Sequence, residues 1–180
     1  WVILSPSWSL SNVVPPMIEP NSNNDLSWNE AQKLINFAKL HGLLPVMFPR
    51  FNTANLPLDW ETFANSDNWS AVFFEKYMRF LVNYADLSEL MGAEAIVLGD
   101  PSVYPFFQMQ ADSNAQWTKL ISEVRSRFSG TIIGTLTLPS ANPPQDWLEN
   151  VDMVYVLFTP TVSNPETMID EVNSQMDSMV

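Results

Sequence analysis

The 180-residue chain has no cysteine, which excludes disulfide bonds and thiol nucleophiles. Histidine is nearly absent as well. His41 is the only one, which argues against a histidine-based metal site and against a Ser-His-Asp triad. No run of about 18 apolar residues marks a membrane span. Basic residues are few: 8 Lys and Arg stand against 20 Asp and Glu, a formal charge of -12. Such a surface repels nucleic acid and anionic lipid and leaves neutral or cationic partners. The missing cysteine does not fix the compartment. The sequence opens at Trp1 without Met or a signal segment, which predicts a chain processed or cut from something longer.

Apolar residues are plentiful, at 46%, enough for one sizeable core. Residues 1–4 read as a short strand, followed by a polar, Pro-rich loop. Ser27 and Glu30 form a capping-box pattern for a helix whose apolar positions are Ala31, Leu34, Ile35 and Ala38, with Gly42 as its stop. Residues 43–48, LLPVMF, read as a second strand. A loop carrying Trp60 then leads to a long helix over residues 68–91, ended by Gly92.

Residues 95–98, AIVL, are the third strand and empty into the loop VLGDPSVYP. Ser113 and Gln116 predict a capping box for the next helix, which ends near Gly130. Residues 131–138, TIIGTLTL, are the fourth strand. A short helix over 146–150 and a fifth strand over 153–158, MVYVLF, follow. Ser163, Pro165 and Glu166 open a last helix.

Five consecutive β-α units with fully apolar strands predict a parallel α/β sheet covered by helices. Nothing divides the chain, so residues 1–180 read as a single domain. The unit spacing is that of a (β/α)8 TIM barrel, which usually takes about 250 residues, so the barrel is expected to be partial. A reversal of strand order would instead mark a doubly wound sheet.

Four stretches carry a family resemblance: WVILSPSWS, FAKLHGLLPVMFPRF, WSAVFFEKYMRFLVNYADLSELMGAEAIVLGD and WTKLISEVRSRFSGTIIGTLT. Their order and spacing over residues 1–160 resemble the TIM-barrel domain of glycoside hydrolase family 113 and its barrel-like relatives in a retaining glycosidase clan. The resemblance implies that the five strands are barrel strands 2 to 6. It also implies an acid/base Glu at the end of strand 4 and a nucleophile Glu at the end of strand 7. Strand 7 falls outside these residues. At strand 4 the expected Gly is Gly99, but Pro101 occupies the position of the Glu.

Retaining hydrolysis needs two carboxyl groups about 5–5.5 Å apart. Asp100 is the one carboxylate at a strand end and the candidate catalytic residue, as a displaced acid or a sugar-hydroxyl acceptor. Its other reading is an Asp-Pro turn that bonds its own backbone. Trp8 and Trp60, in loops after strands, are candidate sugar-stacking platforms, since a pyranose offers an apolar face to an indole ring. Tyr104, Phe106 and Phe107 are expected on the same rim.

Trp28, Trp69, Trp117 and Trp147, in first turns of helices, read as packing residues. Arg50 follows the second strand and can hold a carboxylate or a sugar hydroxyl, or form a surface ion pair. Thr135 joins the strand-end group. His41 is placed to meet the last carbonyls of its helix. Asn68 begins a glycosylation sequon, but at a helix start it reads as a cap.

Two functions follow. One is an extracellular glycoside-hydrolase-like barrel that binds a neutral polysaccharide or oligosaccharide and is not hydrolytic by itself, a pseudoenzyme. The other is a non-catalytic cell-surface structural or adhesion scaffold that self-associates through the barrel. Neither requires a metal or cofactor.

Overall fold

The computed structural model describes residues 1–20, 26–53, 59, 62–63, 65–138, 146–158, 160 and 165–177. Its main sheet has five strands, β1 (Val2–Leu4), β4 (Pro45–Met47), β6 (Ala95–Leu98), β7 (Thr131–Leu138) and β8 (Met153–Phe158). They lie side by side in chain order, β1-β4-β6-β7-β8. Every pairing is parallel, with Ile3 opposite Val46, Val46 opposite Ala95, Ile96 opposite Ile132 and Thr135 opposite Tyr155. The order never reverses, so the sheet is not doubly wound. With helices between successive strands it is a curled half-barrel, a partial (β/α)8 fold.

Helix α1 (Trp28–Leu40) starts where the sequence predicts. Ser27 Oγ accepts from Glu30 N–H at 3.3 Å, and Ser27 N–H donates to Glu30 Oε2 at 3.0 Å. The Ser27 hydroxyl also donates to Glu30 Oε2 at 2.5 Å, and this bond first, then the one from Ser27 N–H, holds the Glu30 carboxyl below its usual range. Ala31, Ile35 and Ala38 are buried, but Leu34 is 43% exposed. The chain leaves the helix through Gly42 at φ +69°, a left-handed turn that glycine adopts without a Cβ penalty. His41 Nδ1 sits 2.8 Å from the Phe37 carbonyl.

Helix α2 (Asp67–Met91) supplies more of the core on the outer face of the sheet than any other element. Trp69, Phe73 and Tyr77 recur every four residues and so share one helix face. Trp69 and Phe73 stack at 5.0 Å, and Phe73 and Tyr77 at 6.1 Å. The N-cap is Ser66, which places Asn68 inside the first turn rather than at the cap. The opposite, concave face carries a smaller cluster of Val46, Phe48, Ala95, Val97 and Ile133.

Several segments depart from the sequence reading. The Pro-rich loop after β1 contains β2 (Ser7–Asn12) and β3 (Met17–Glu19), and the loop after β4 begins with β5 (Arg50–Asn52). They make a second, three-stranded sheet, β3-β2-β5. The VLGDPSVYP loop folds into a 3-10 turn (Pro101–Val103) and a short helix α3 (Tyr104–Met109).

Helix α4 (Ser113–Arg125) has Asp112, not Ser113, at its N-cap, and Gln116 Nε2 donates to Asp112 Oδ1 at 3.0 Å. The segment Asp146–Asn150 is 3-10. The last helix opens as a 3-10 turn (Pro165–Thr167) before α5 (Met168–Asp177), and Ser163 lies outside the described residues.

Candidate strand-end site

β4 and β6 end side by side, and the chain beyond each carries one member of an ion pair. Arg50 opens β5, with its neighbour Phe51 buried between Phe73 and Tyr77. Alternation along the strand sends Arg50 the other way, toward the concave face. There its guanidinium carbon lies 4.8 Å above the ring of Phe48.

Asp100 follows Gly99 at the end of β6, and its side chain is fully buried. One oxygen, Oδ2, accepts from Arg50 Nε at 2.7 Å and from Phe51 N–H at 2.8 Å. The other, Oδ1, accepts from Ser102 N–H at 2.9 Å and caps the 3-10 turn. Ser102 Oγ in turn donates to the Phe51 carbonyl at 3.0 Å. Three donors therefore converge on one carboxylate. Asp100 thus forms the local turn, and Arg50 is held in an ion pair with it.

Gly99 has φ +89°, and a Cβ there would lie 2.7 Å from the Tyr104 hydroxyl and 2.9 Å from Thr135 Oγ1. The glycine is needed for both reasons. The Thr135 hydroxyl donates to the Gly99 carbonyl, and the Tyr104 hydroxyl meets both the carbonyl and the hydroxyl of Thr135. Burial raises the Tyr104 phenol to about 12; the Thr135 hydrogen bond opposes the rise and the charge of Asp100 adds to it. Tyr77, fully buried beneath, is raised well above the ordinary range, first by burial and then by Asp100. Arg50, Asp100, Tyr104 and Thr135 thus form one cluster at the strand ends.

The aromatic candidates divide differently. Trp8 lies on β2 beside Phe51, with its ring 5.4 Å from Phe80 and 6.1 Å from Tyr84, so it packs partly into the core. Trp60 lies outside the described residues. Phe106 and Phe107 are buried against Phe73 and Trp117, not set on a rim. Trp69, Trp117 and Trp147 are core residues, whereas Trp28 is half exposed. On the concave face, below the cluster, an apolar cavity of about 180 Å³ is lined by Trp1, Ile3, Val97, Ile133, Met153 and Tyr155.

The sequence carries no signal for the Phe51 N–H that donates to Asp100. The Asp-Pro-Ser order was a local signal for the Ser102 bond. Among the described residues no group of three or more His, Asp or Glu is placed to hold a metal ion. No described helix is long and apolar enough to cross a membrane.

A parallel half-barrel with its polar cluster at the carboxyl ends of the strands is the architecture of barrel enzymes and of glycoside hydrolases among them. The model of glycoside hydrolase family 113 matches residues 1–179, and the chain belongs to that family. Two structures of a GH113 beta-1,4-mannanase, one of them a complex, superpose with TM-score 0.70 at 19% identity and cover 99% of this chain. The GH113 beta-mannanase AaManA from Alicyclobacillus acidocaldarius, in complex with ManMIm, gives TM-score 0.69 at 18% identity over 87% of the chain. The chain spans 57% and 50% of the lengths of these mannanases. Comparison with curated protein sequences yields no match.

Proposed function

We propose that this glycoside-hydrolase-like domain binds a neutral β-1,4-linked polysaccharide of the mannan type across its strand-end face, in an extracellular or cell-surface setting, and does not itself cleave it. The observation that carries the second half is the state of Asp100. A general acid must present a proton to the glycosidic oxygen, yet this carboxylate is buried, accepts three hydrogen bonds and is paired with Arg50. The neighbouring Pro101, at the position where the family resemblance calls for the acid/base Glu, has no proton to give. The substrate class rests on the mannanases to which the chain is similar and on a charge of -12 that disfavours polyanions.

Retention of the chain on a galactomannan affinity gel, with no release of reducing ends, supports the reading. Free migration through neutral polysaccharide gels counts against it.

A self-associating scaffold is the second reading, and exposed apolar side chains favour it. Ile3 on β1, Phe37 and Leu40 on α1, and Val154 and Val156 on β8 are 43–84% exposed. Exposed apolar side chains grouped in this way favour contact with a further copy. Sedimentation at rising concentration separates the readings: a monomer that binds mannan fits the first, and a concentration-dependent oligomer indifferent to mannan fits the second.

A further inference from the structure

Asp100 is fully buried and already accepts three hydrogen bonds, so it is out of a ligand's reach, but Arg50 is not. Its Nε is committed to Asp100 and its flat face to Phe48, while its side chain remains 44% exposed. Among the described residues no acceptor binds its two terminal nitrogens. A guanidinium held along one edge and one face presents its remaining donors as a fixed fork, with less rotamer entropy left to lose on binding.

From this we infer that Arg50 is the sugar-recognition residue of the strand-end face, donating its terminal N–H groups to a pair of adjacent hydroxyls on a neutral pyranose, and that Asp100 is its positioning residue. The inference rests on the proposed polysaccharide-binding reading and names the contact that performs it.

The choice of a neutral diol over a uronate carboxylate follows from charge. Asp100 already balances the guanidinium at 2.7 Å, so the pair offers an incoming anion little net attraction, and the surrounding protein is strongly acidic. A diol needs only directional donors. Phe48 beneath the guanidinium belongs to the concave-face cluster, which sets the fork over the mouth of the half-barrel.

The test is calorimetric titration of the full chain and of the variants Arg50→Lys and Arg50→Ala with β-1,4-mannohexaose, and in parallel with polymannuronate. Arg50→Lys keeps a cation for Asp100 but lacks the fork, so a melting temperature close to that of the parent is expected. It is also expected to bind mannohexaose about thirtyfold more weakly, the loss of two hydrogen bonds of ordinary net strength. Arg50→Ala is expected to lose as much affinity or more. Binding by the parent should change little with salt.

Equal affinity in parent and Arg50→Lys overturns the role of Arg50 while leaving polysaccharide binding intact. Tighter, salt-sensitive binding of polymannuronate overturns the neutral-diol assignment. No binding of either ligand by the parent overturns both the inference and the reading on which it rests.

Discussion

Arg50 Nε and Asp100 Oδ2 lie 2.7 Å apart across 50 residues of chain, joining the segment that follows β4 to the segment that follows β6. The bond ties together two loops at the mouth of the half-barrel, and the Phe51 amide and Ser102 fasten them further. Asp100 is therefore a structural staple. Replacing it by Ala strands the buried Phe51 N–H, and an unsatisfied buried amide costs about 1–3 kcal/mol. Urea denaturation of Asp100→Ala is expected to show at least that loss, and an unchanged midpoint would remove the staple.

Gly99 and Gly42 both have positive φ but differ in their surroundings. Nothing lies within 4 Å of a Cβ at Gly42, whereas at Gly99 two side-chain oxygens lie within 3.0 Å. Gly42→Ala is expected to cost about 1–2 kcal/mol for the left-handed backbone alone. Gly99→Ala carries that cost and also pushes Tyr104 away from Thr135. Parallel thermal melts of the two variants check the order, and equal losses would show that the close approach at Gly99 is unimportant.

The tyrosines give a pH dependence with a definite sign. Tyr104 holds its proton to about 12 in the folded chain, above the usual 10.0, and Tyr77 is raised as well. A raised folded-state pKa means stability that is fully present below pH 10 and lost as pH climbs through the folded value. Stability is therefore expected to fall between pH 10 and 12. In Tyr104→Phe part of that dependence disappears, and one late phenol is lost from a spectrophotometric titration. An identical alkaline profile in the variant would contradict the burial argument.

The five barrel strands were legible because each is a short apolar run of strand formers followed by a helix with a local start or stop signal. Ser27, Glu30 and Gly42 act within a few residues of one another, so sequence alone locates α1. The second sheet had no such signal. Its pairing of Ser7 with Arg50 spans the whole of α1, and its strands are three to six residues long and partly polar.

The cluster around Asp100 was half legible. Strand ends announced Arg50, Asp100 and Thr135 as neighbours, but the donation from Phe51 N–H depends on β5, a strand that only tertiary pairing creates. Phe106 and Phe107 were misplaced on the rim because the tight turn begun by Asp100 and Pro101 continues into α3, which turns both rings inward. At α4 the box expected of Ser113 and Gln116 does not form, because the helix starts one residue earlier at Asp112 and the Gln116 side-chain amide donates to the Asp112 carboxylate instead.

The aromatic ridge of α2 offers a check on the core. Phe73 is fully buried between Trp69 and Tyr77 and touches Phe106 at 4.7 Å. Phe73→Ala is expected to cost about 3–5 kcal/mol, read by urea denaturation. A loss below about 1 kcal/mol, the scale of a surface change, would mean that the ridge does not anchor the fold.

The central claim, recognition of polysaccharide without hydrolysis, is tested most directly by a reducing-end assay of the 180-residue chain on β-1,4-mannan. Asp100→Asn is run alongside. The expected result is no release from either protein. Release by the parent that disappears in Asp100→Asn would contradict the account, for it would make Asp100 a working general acid despite its three hydrogen bonds.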